Sequence, residues 1–205
     1  VKVLGVKASE KGLGLDFRAH SALPKQIKTD PARFRQIIFN LVGNATKFTE
    51  KGHVTVNASF VKAASGPRLQ VDIIIDTGIG ISADKLEWIF DPFTQADTTV
   101  SRRFGGTGLG LSISRKFARA LGGDIAVESR PGHGSTFRVT GATGDLEKVP
   151  FLQPEEVASS AESLDESDRS WWQFPEARLL IVDDGAENRE LLKLVLEETG
   201  LTVDE

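Results

Sequence analysis

The sequence predicts an α/β fold, a two-layer sandwich in which a mixed β-sheet lies under three main helices, followed by the β-α opening of a second unit. Three observations carry this. Apolar residues recur at three- and four-residue spacing in 30–49 and again behind the glycines of 105–123, the pattern of helices that bury one side. Segments 13–19, 53–61, 68–75, 124–129 and 135–140 are short, apolar in alternation or β-branched, and bounded by turn residues, as strands are. From Asp145 to Pro175 apolar periodicity disappears under Glu, Asp, Ser and Pro, and a strand-like run resumes at Leu179. With 205 residues, 40% of them apolar, the chain can bury one ordinary core and part of another. The expected division is a first domain over 1–144, a flexible acidic linker over 145–176 and the start of a second domain over 177–205.

Val1 to Gly12 reads as the end of a helix entering a turn, and Leu13 to Ala19 (LGLDFRA) alternates as a strand. Asp30 and Pro31 then form a helix N-cap and first helical position: the carboxylate accepts unpaired backbone N–H groups, and proline has no N–H to leave unpaired. Phe34, Ile37, Ile38, Leu41, Ala45 and Phe48 make one apolar stripe, while Arg33, Gln36, Asn40, Asn44 and Lys47 share a face of amides and cations without a carboxylate. Such a face suits an anion held through a metal. A solvated surface is the commoner meaning of a polar helix face. Asparagine, however, is a mediocre helix former where Glu or Lys would serve, so two asparagines four apart favour binding.

Glu50-Lys51-Gly52 stops this helix, and strands 53–61 and 68–75 form a hairpin across Lys62 to Pro67. DTGIGIS, Asp76 to Ser82, follows directly: Gly78 and Gly80 allow close backbone approach to a flat ligand, and Asp76 offers a carboxylate to a donor such as an exocyclic amine. Asp84 to Phe90 is expected as a short helix and Thr94 to Phe104 as a polar, mobile loop. In Gly105 to Gly123, Gly106, Gly108 and Gly110 open a helix whose apolar side includes Leu111, Ile113, Phe117 and Leu121. Glycines there gather free backbone N–H groups at the positive end of the helix dipole, an arrangement that holds phosphate; the spacing is neither a Walker loop nor GxGxxG. Strands 124–129 and 135–140 follow, turned by Pro131 to Gly134. After the linker, in which Trp171, Trp172 and Phe174 stand out, Leu179 to Val182 is a buried-type strand ending at Asp183-Asp184, and Glu187 to Thr199 is amphipathic.

Net charge is −4, but residues 1–144 hold 20 basic against 12 acidic side chains, a net of +8, while 145–176 and 177–205 carry −7 and −5. The first part is thus basic enough for a small phosphorylated ligand, and no Lys/Arg-rich run points to nucleic acid. Absence of cysteine excludes disulfides and thiolate metal sites. No apolar run reaches the length of a membrane span and no signal peptide opens the chain, so a cytoplasmic fragment of a larger protein is expected, one that a membrane anchor or sensor could precede.

Four motifs in fixed order resemble the catalytic ATP-binding domain of sensor histidine kinases, the GHKL superfamily with its Bergerat fold: NLVGNATKFT as the N box, DTGIGIS as the first glycine box, FDPFTQ as the F box and GGTGLGLS as the second glycine box. The resemblance covers roughly Ala8 to Thr140. It implies ATP and magnesium, with Asn44 as principal magnesium ligand, Asn40 near metal and phosphates, and Lys47 on phosphate. It further implies Asp76 on the adenine amine with Gly78 and Gly80 shaping that pocket, Gly106, Gly108, Leu109 and Gly110 at the phosphates, and Phe93 and Thr107 as further nucleotide-binding residues. Arg102 or Arg103 would reach the γ-phosphate from a lid. Related ATPases place a glutamate at position 40 to activate water, which an amide cannot do, so transfer to a histidine is expected over hydrolysis. ARLLIVDDGAENRELL, Ala177 to Leu192, resembles the opening of a doubly wound response-regulator receiver domain, with Asp183 and Asp184 as its acidic metal-binding pair.

Catalytic domain followed by receiver implies a hybrid histidine kinase, a homodimer when complete, acting on a histidine of a separate dimerisation and phosphotransfer domain. None of His20, His53 or His133 lies in a phosphoacceptor context. Thr46 departs from the family's aliphatic residue. Ile75 is apolar directly before Asp76, one position later than the family pattern; a β-bulge would absorb the shift, as would a residue missing from a sequence that has no methionine. A catalytically degenerate nucleotide-binding scaffold and a GHKL ATPase are the competing expectations.

Overall fold

The computed structural model describes residues 2–64, 66–75, 77–94, 108–159, 175–182, 189, 192–193, 196 and 201–204. The chain forms two compact units, Val1–Ala158 and Ser159–Glu205.

The first unit is built on a five-stranded sheet of β1 (Gly14–Ala19), β3 (His53–Ala63), β4 (Gly66–Ile75), β5 (Ile125–Ser129) and β6 (Ser135–Ala142), in the order β1-β3-β4-β6-β5. β1 runs parallel to β3 and every other pair is antiparallel, so the sheet is mixed. Alternate residues point inward, with Val54, Val71, Ile73, Ile125 and Val139 at most 5% exposed. They meet Leu4 of α1 (Lys2–Glu10), the apolar stripe of α2 (Pro31–Lys47) and Ala118 of α4 (Gly110–Ala120). This is the predicted sandwich with its three main helices.

The start of α2 follows from its sequence: Asp30 Oδ1 accepts from Ala32 N at 3.0 Å and Arg33 N at 3.1 Å, ahead of Pro31. Its buried stripe is Ile37, Leu41, Val42, Ala45 and Thr46, rotated slightly from the predicted one, with Phe34 and Ile38 at the margin and Phe39 37% exposed. Thr46 fits an apolar site because its hydroxyl is satisfied within the helix, donating to Val42 O at 3.2 Å and lying 3.0 Å from Gly43 O. No bulge occurs up to Ile75: β4 keeps one register with β3 and with β6, Ile75 opposite Val54 and Ser135, and Ile75 is 7% exposed. The helix predicted over 84–90 is shorter, α3 (Ala83–Leu86), and continues as turns through Phe90 in which Trp88 N and Ile89 N both donate to Lys85 O.

Two short strands went unpredicted. β2 (Leu23–Pro24) and β7 (Phe151–Leu152) form an antiparallel pair, extended by Lys25 N donating to Pro150 O, while Lys28 N donates to Thr143 O. Phe151 meets Phe60 edge to face at 5.0 Å between ring centroids. Residues 150–152, compositionally part of the acidic linker, are therefore held against the first unit through their backbone and one aromatic pair.

In the second unit, β8 (Arg178–Leu180) runs parallel to β9 (Thr202–Asp204), with Arg178 opposite Thr202 and its guanidinium 2.9 Å from Asp204 Oδ2. Ile181 and Val203 are buried, whereas Leu180 and Val182 are 65% and 85% exposed.

Candidate functional site

The polar face of α2 and the N-terminal turns of α4 meet at Asn40. Its Nδ2 donates to Ser114 Oγ at 2.9 Å, and its Oδ1 lies 2.5 Å from where a Cβ on Gly110 would stand. Ser114 is 2% exposed. Asn44, one turn on, is half-buried, and its carboxamide makes no hydrogen bond that is found among the described residues. Lys47 ends the same face, its Nζ 5.5 Å from the Phe48 ring centroid. From the end of α1, Lys11 Nζ donates to Thr46 O at 3.2 Å and reaches Lys47 O at 3.4 Å, so a cation caps the carbonyl end of α2. At the other end of the face, the Arg33 guanidinium lies 5.5 Å from the Phe117 ring of α4.

The loop after β4 is pinned at both ends. Thr77 Oγ1 donates to Lys51 O at 2.5 Å, in space left by Gly52, which has φ +112° and whose Cβ would otherwise meet that hydroxyl. On the far side Gly132 N donates to Ile79 O at 2.9 Å, and Ile81 N donates to Ser129 Oγ at 2.8 Å. Gly80 has φ +69°, and a Cβ there would stand 2.1 Å from Arg130 O. Packing against the 130–134 turn thus demands glycine at 80, a reason additional to close ligand approach. Gly80→Ala is expected to destabilise the first unit by about 1–3 kcal/mol through forced left-handed backbone and steric overlap, read as a lowered thermal midpoint.

Phe90 is 9% exposed and lies under the Arg115 guanidinium, 4.6 Å from the ring centroid. Arg115 Nε also donates to Asp124 Oδ1 at 3.0 Å, joined by Arg119 at 3.3 Å. Partial burial pushes the Asp124 carboxyl upward, but hydrogen bonds from Arg115, the Ile125 N–H and Arg119 outweigh it, and its pKa lies below the usual carboxylate value. Phe93 is 76% exposed at φ 62°, its backbone packed where a Cβ on Gly108 would fall 2.9 Å from the Phe93 carbonyl carbon. Leu109 is the residue at the N-cap of α4 and accepts from Ser112 Oγ at 2.8 Å. His53 is paired with Asp16 at 2.8 Å between Nε2 and Oδ2, and His133 is exposed in the 130–134 turn.

Of the predicted site residues, Asn40, Asn44 and Lys47 lie on α2; Asn40 and Gly110 are in contact across to α4, and Gly78, Gly80, Phe93, Gly108 and Leu109 occupy the loops described. Asp76, Arg102, Arg103, Gly106, Thr107, Asp183 and Asp184 lie outside the described residues. Sequence reasoning missed Lys11, Ser114, Arg115 and Ser129. Only Ser114 carried a local signal, a polar residue i+4 from Gly110 on the side of α4 that faces inward.

A sheet of this order with its helices on one face, and a polar helix meeting a glycine-led helix, define a nucleotide-binding α/β sandwich. Residues 29–142, more than half of the chain, match the family described as histidine kinase-, DNA gyrase B-, and HSP90-like ATPase, and the chain belongs to that family. It is 45% identical over 138 residues to the signal transduction histidine-protein kinase BarA of Escherichia coli K12, covering 67% of this chain and 15% of BarA. It is 37% identical over 200 residues to the aerobic respiration control sensor protein ArcB of the same strain, covering 97% of this chain and 24% of ArcB. Among solved structures, full-length ShkA in complex with AMPPNP superposes with a TM-score of 0.58 at 27% identity, over 98% of this chain and 37% of ShkA. The catalytic domain of the histidine kinase ThkA shares the fold, with a TM-score of 0.54 at 24% identity over 69% of this chain and 86% of that domain. The chain is thus homologous to the catalytic ATPase domains of hybrid sensor histidine kinases and spans about a quarter or less of the curated relatives named. Among the described residues no helix is long and apolar enough to cross a membrane.

Proposed function

We propose that this chain is the Mg-ATP-binding catalytic part of a hybrid sensor histidine kinase and passes the γ-phosphoryl group to a histidine on a separate dimerisation and phosphotransfer domain. The observation that carries the reading is the junction of the Asn40-Asn44-Lys47 face of α2 with the glycine-led start of α4. It sets neutral amides and a cation beside a helix N-terminus, where a polyphosphate is stabilised.

The residues present fit magnesium carried with phosphate. No cluster of carboxylates or histidines that could hold a metal alone exists among the described residues, while the Asn44 amide oxygen is the hard, neutral donor that a partly hydrated magnesium accepts. When bound, the ion would neutralise charge on the phosphate oxygens. Lys47 would hold phosphate, Asp76 the adenine amine, and the backbone of 106–110 the β- and γ-phosphates, with Arg102 or Arg103 closing from the lid. In transfer an imidazole nitrogen forms the new P–N bond as the bond to the bridging oxygen breaks and ADP leaves. Asn40 offers no base for water, which favours this route over hydrolysis.

The parallel β8–β9 pair with helical residues between supports the receiver reading of 177–205, and with it Asp183 and Asp184 as the beginning of an acidic metal site. In the cell we place the catalytic part in the cytoplasm of a homodimeric protein, with a receiver domain or response regulator as downstream partner and no nucleic acid.

The test is radiolabelled transfer from γ-labelled ATP. The chain alone is expected to retain negligible phosphate and hydrolyse ATP slowly, and a cognate dimerisation domain added in trans is expected to acquire acid-labile, base-stable phosphate. Label held by this chain alone, lost in acid, would make one of His20, His53 or His133 an acceptor; rapid hydrolysis without transfer would make the protein an ATPase, and binding without either would make it a scaffold.

A further inference from the structure

Asn40 is gripped by two residues one helical turn apart on α4. Gly110 leaves the space its carboxamide fills, with Oδ1 2.5 Å and Cγ 3.2 Å from the position a Cβ would take, and Ser114, 2% exposed, accepts from its Nδ2 at 2.9 Å. Residues i and i+4 present one continuous strip of a helix, so the amide is held at both ends by the same element. The two sides of the contact are 74 residues apart in sequence.

We propose that Gly110 and Ser114 form a seat that fixes the direction of the Asn40 amide, with nitrogen toward Ser114 and oxygen toward the start of α4, making Ser114 a positioning residue for the nucleotide site. An asparagine side chain can present either end of its amide, and only the oxygen can face a cation or its bound water. In the orientation observed, Nδ2 donates to the Ser114 hydroxyl, which leaves Oδ1 on the Gly110 side, and the bare Cα of Gly110 leaves room for it. The requirement for glycine at 110 thus comes at least in part from Asn40 itself, and α2 and α4 are locked as one body at the point where phosphate is read. This inference rests on the Mg-nucleotide reading above.

A double-mutant cycle in the 205-residue chain tests it, with two readouts: calorimetric affinity for AMPPNP with and without magnesium, and the thermal midpoint without ligand. Ser114→Ala is expected to weaken magnesium-dependent binding about five- to thirtyfold, the loss of one buried hydrogen bond, leave magnesium-free binding nearly unchanged, and have under a twofold effect in an Asn40→Ala background. Ser114→Thr, which keeps the hydroxyl, should restore most of the affinity. Gly110→Ala should lower the midpoint in the wild-type background and be tolerated in Asn40→Ala, where the clashing amide is gone. Equal effects of Ser114→Ala with and without magnesium, effects additive with Asn40→Ala, or a Gly110→Ala penalty unchanged by Asn40→Ala would each overturn the seat. If the wild-type chain bound no Mg-AMPPNP, the nucleotide reading would fall, and the Gly110→Ala midpoints would still decide whether the seat exists.

Discussion

Asp76→Ala is expected to abolish measurable binding of adenine nucleotide whether or not magnesium is present, whereas Asn44→Ala should remove only the part of the affinity that magnesium adds. Asp76 follows β4 directly, between Ile75 at the buried end of the strand and Thr77, which is tied to Lys51 O. The proposed function gives Asp76 the adenine amine, so its loss is expected to remove recognition of the base in both conditions. A hydrogen bond to a charged group contributes about 1.5–3 kcal/mol, roughly ten- to hundredfold in affinity, and the donor on the base is then left unpaired. In the proposed role Asn44 would act through the metal and phosphates, so magnesium-free binding should hardly notice its removal. Isothermal calorimetry in magnesium and in chelator separates the two roles; equal losses for both variants under both conditions would contradict them.

Ile37→Ala is expected to cost about 2–5 kcal/mol, the range for emptying a fully buried branched side chain whose surroundings cannot collapse. Ile37 is 0% exposed in the cluster that joins α2 to Val54, Val71 and Ile73 of the sheet. In a unit of this size the thermal midpoint should fall by roughly 5–20 °C. Phe39→Ala, on the same helix at 37% exposure, removes a larger side chain yet should cost far less. Urea denaturation of both variants checks the ordering, and a loss below about 1 kcal/mol for Ile37→Ala would show that α2 does not pack as described.

The contrast between these two residues shows how far the chain could be read in advance. The stripe of α2 was legible because burial on a helix repeats every three to four residues, and Ile37 and Leu41 fell on it. Val42 was not, because the exact rotation of the stripe depends on what the sheet presents opposite. The strands were legible from alternation, including β4, whose inward residues run in phase as far as Ile75; a bulge, one of the two accounts offered for that position, has no counterpart in the ladder. β2 and β7 were invisible, since two-residue strands have no periodicity and exist only because distant backbone pairs them. The same holds at the site. Asn40, Asn44 and Gly110 carried a chemical signal in their residue types, but the reason for glycine at 80, the Arg130 carbonyl, lies 50 residues away. The bridge that Arg115 makes between Phe90 and Asp124 likewise appears only when three segments are brought together.

The order β1-β3-β4-β6-β5 also bears on how the chain reaches this structure. β3 and β4 are joined by a tight turn, and their pairing closes from Ala63 opposite Gly66 outward, so it can begin with almost no loss of chain entropy. β1 can pair with β3 only after the chain has crossed through α2, since Gly14 must find His53 and lie parallel to it. Parallel pairing across such a crossover is intrinsically slow, because the loop must close before any contact rewards it. The hairpin is therefore placed to form first and α2 with β1 to be added to it, so the helix bearing Asn40, Asn44 and Lys47 becomes fixed late, and nucleotide competence should arrive with the last step of folding.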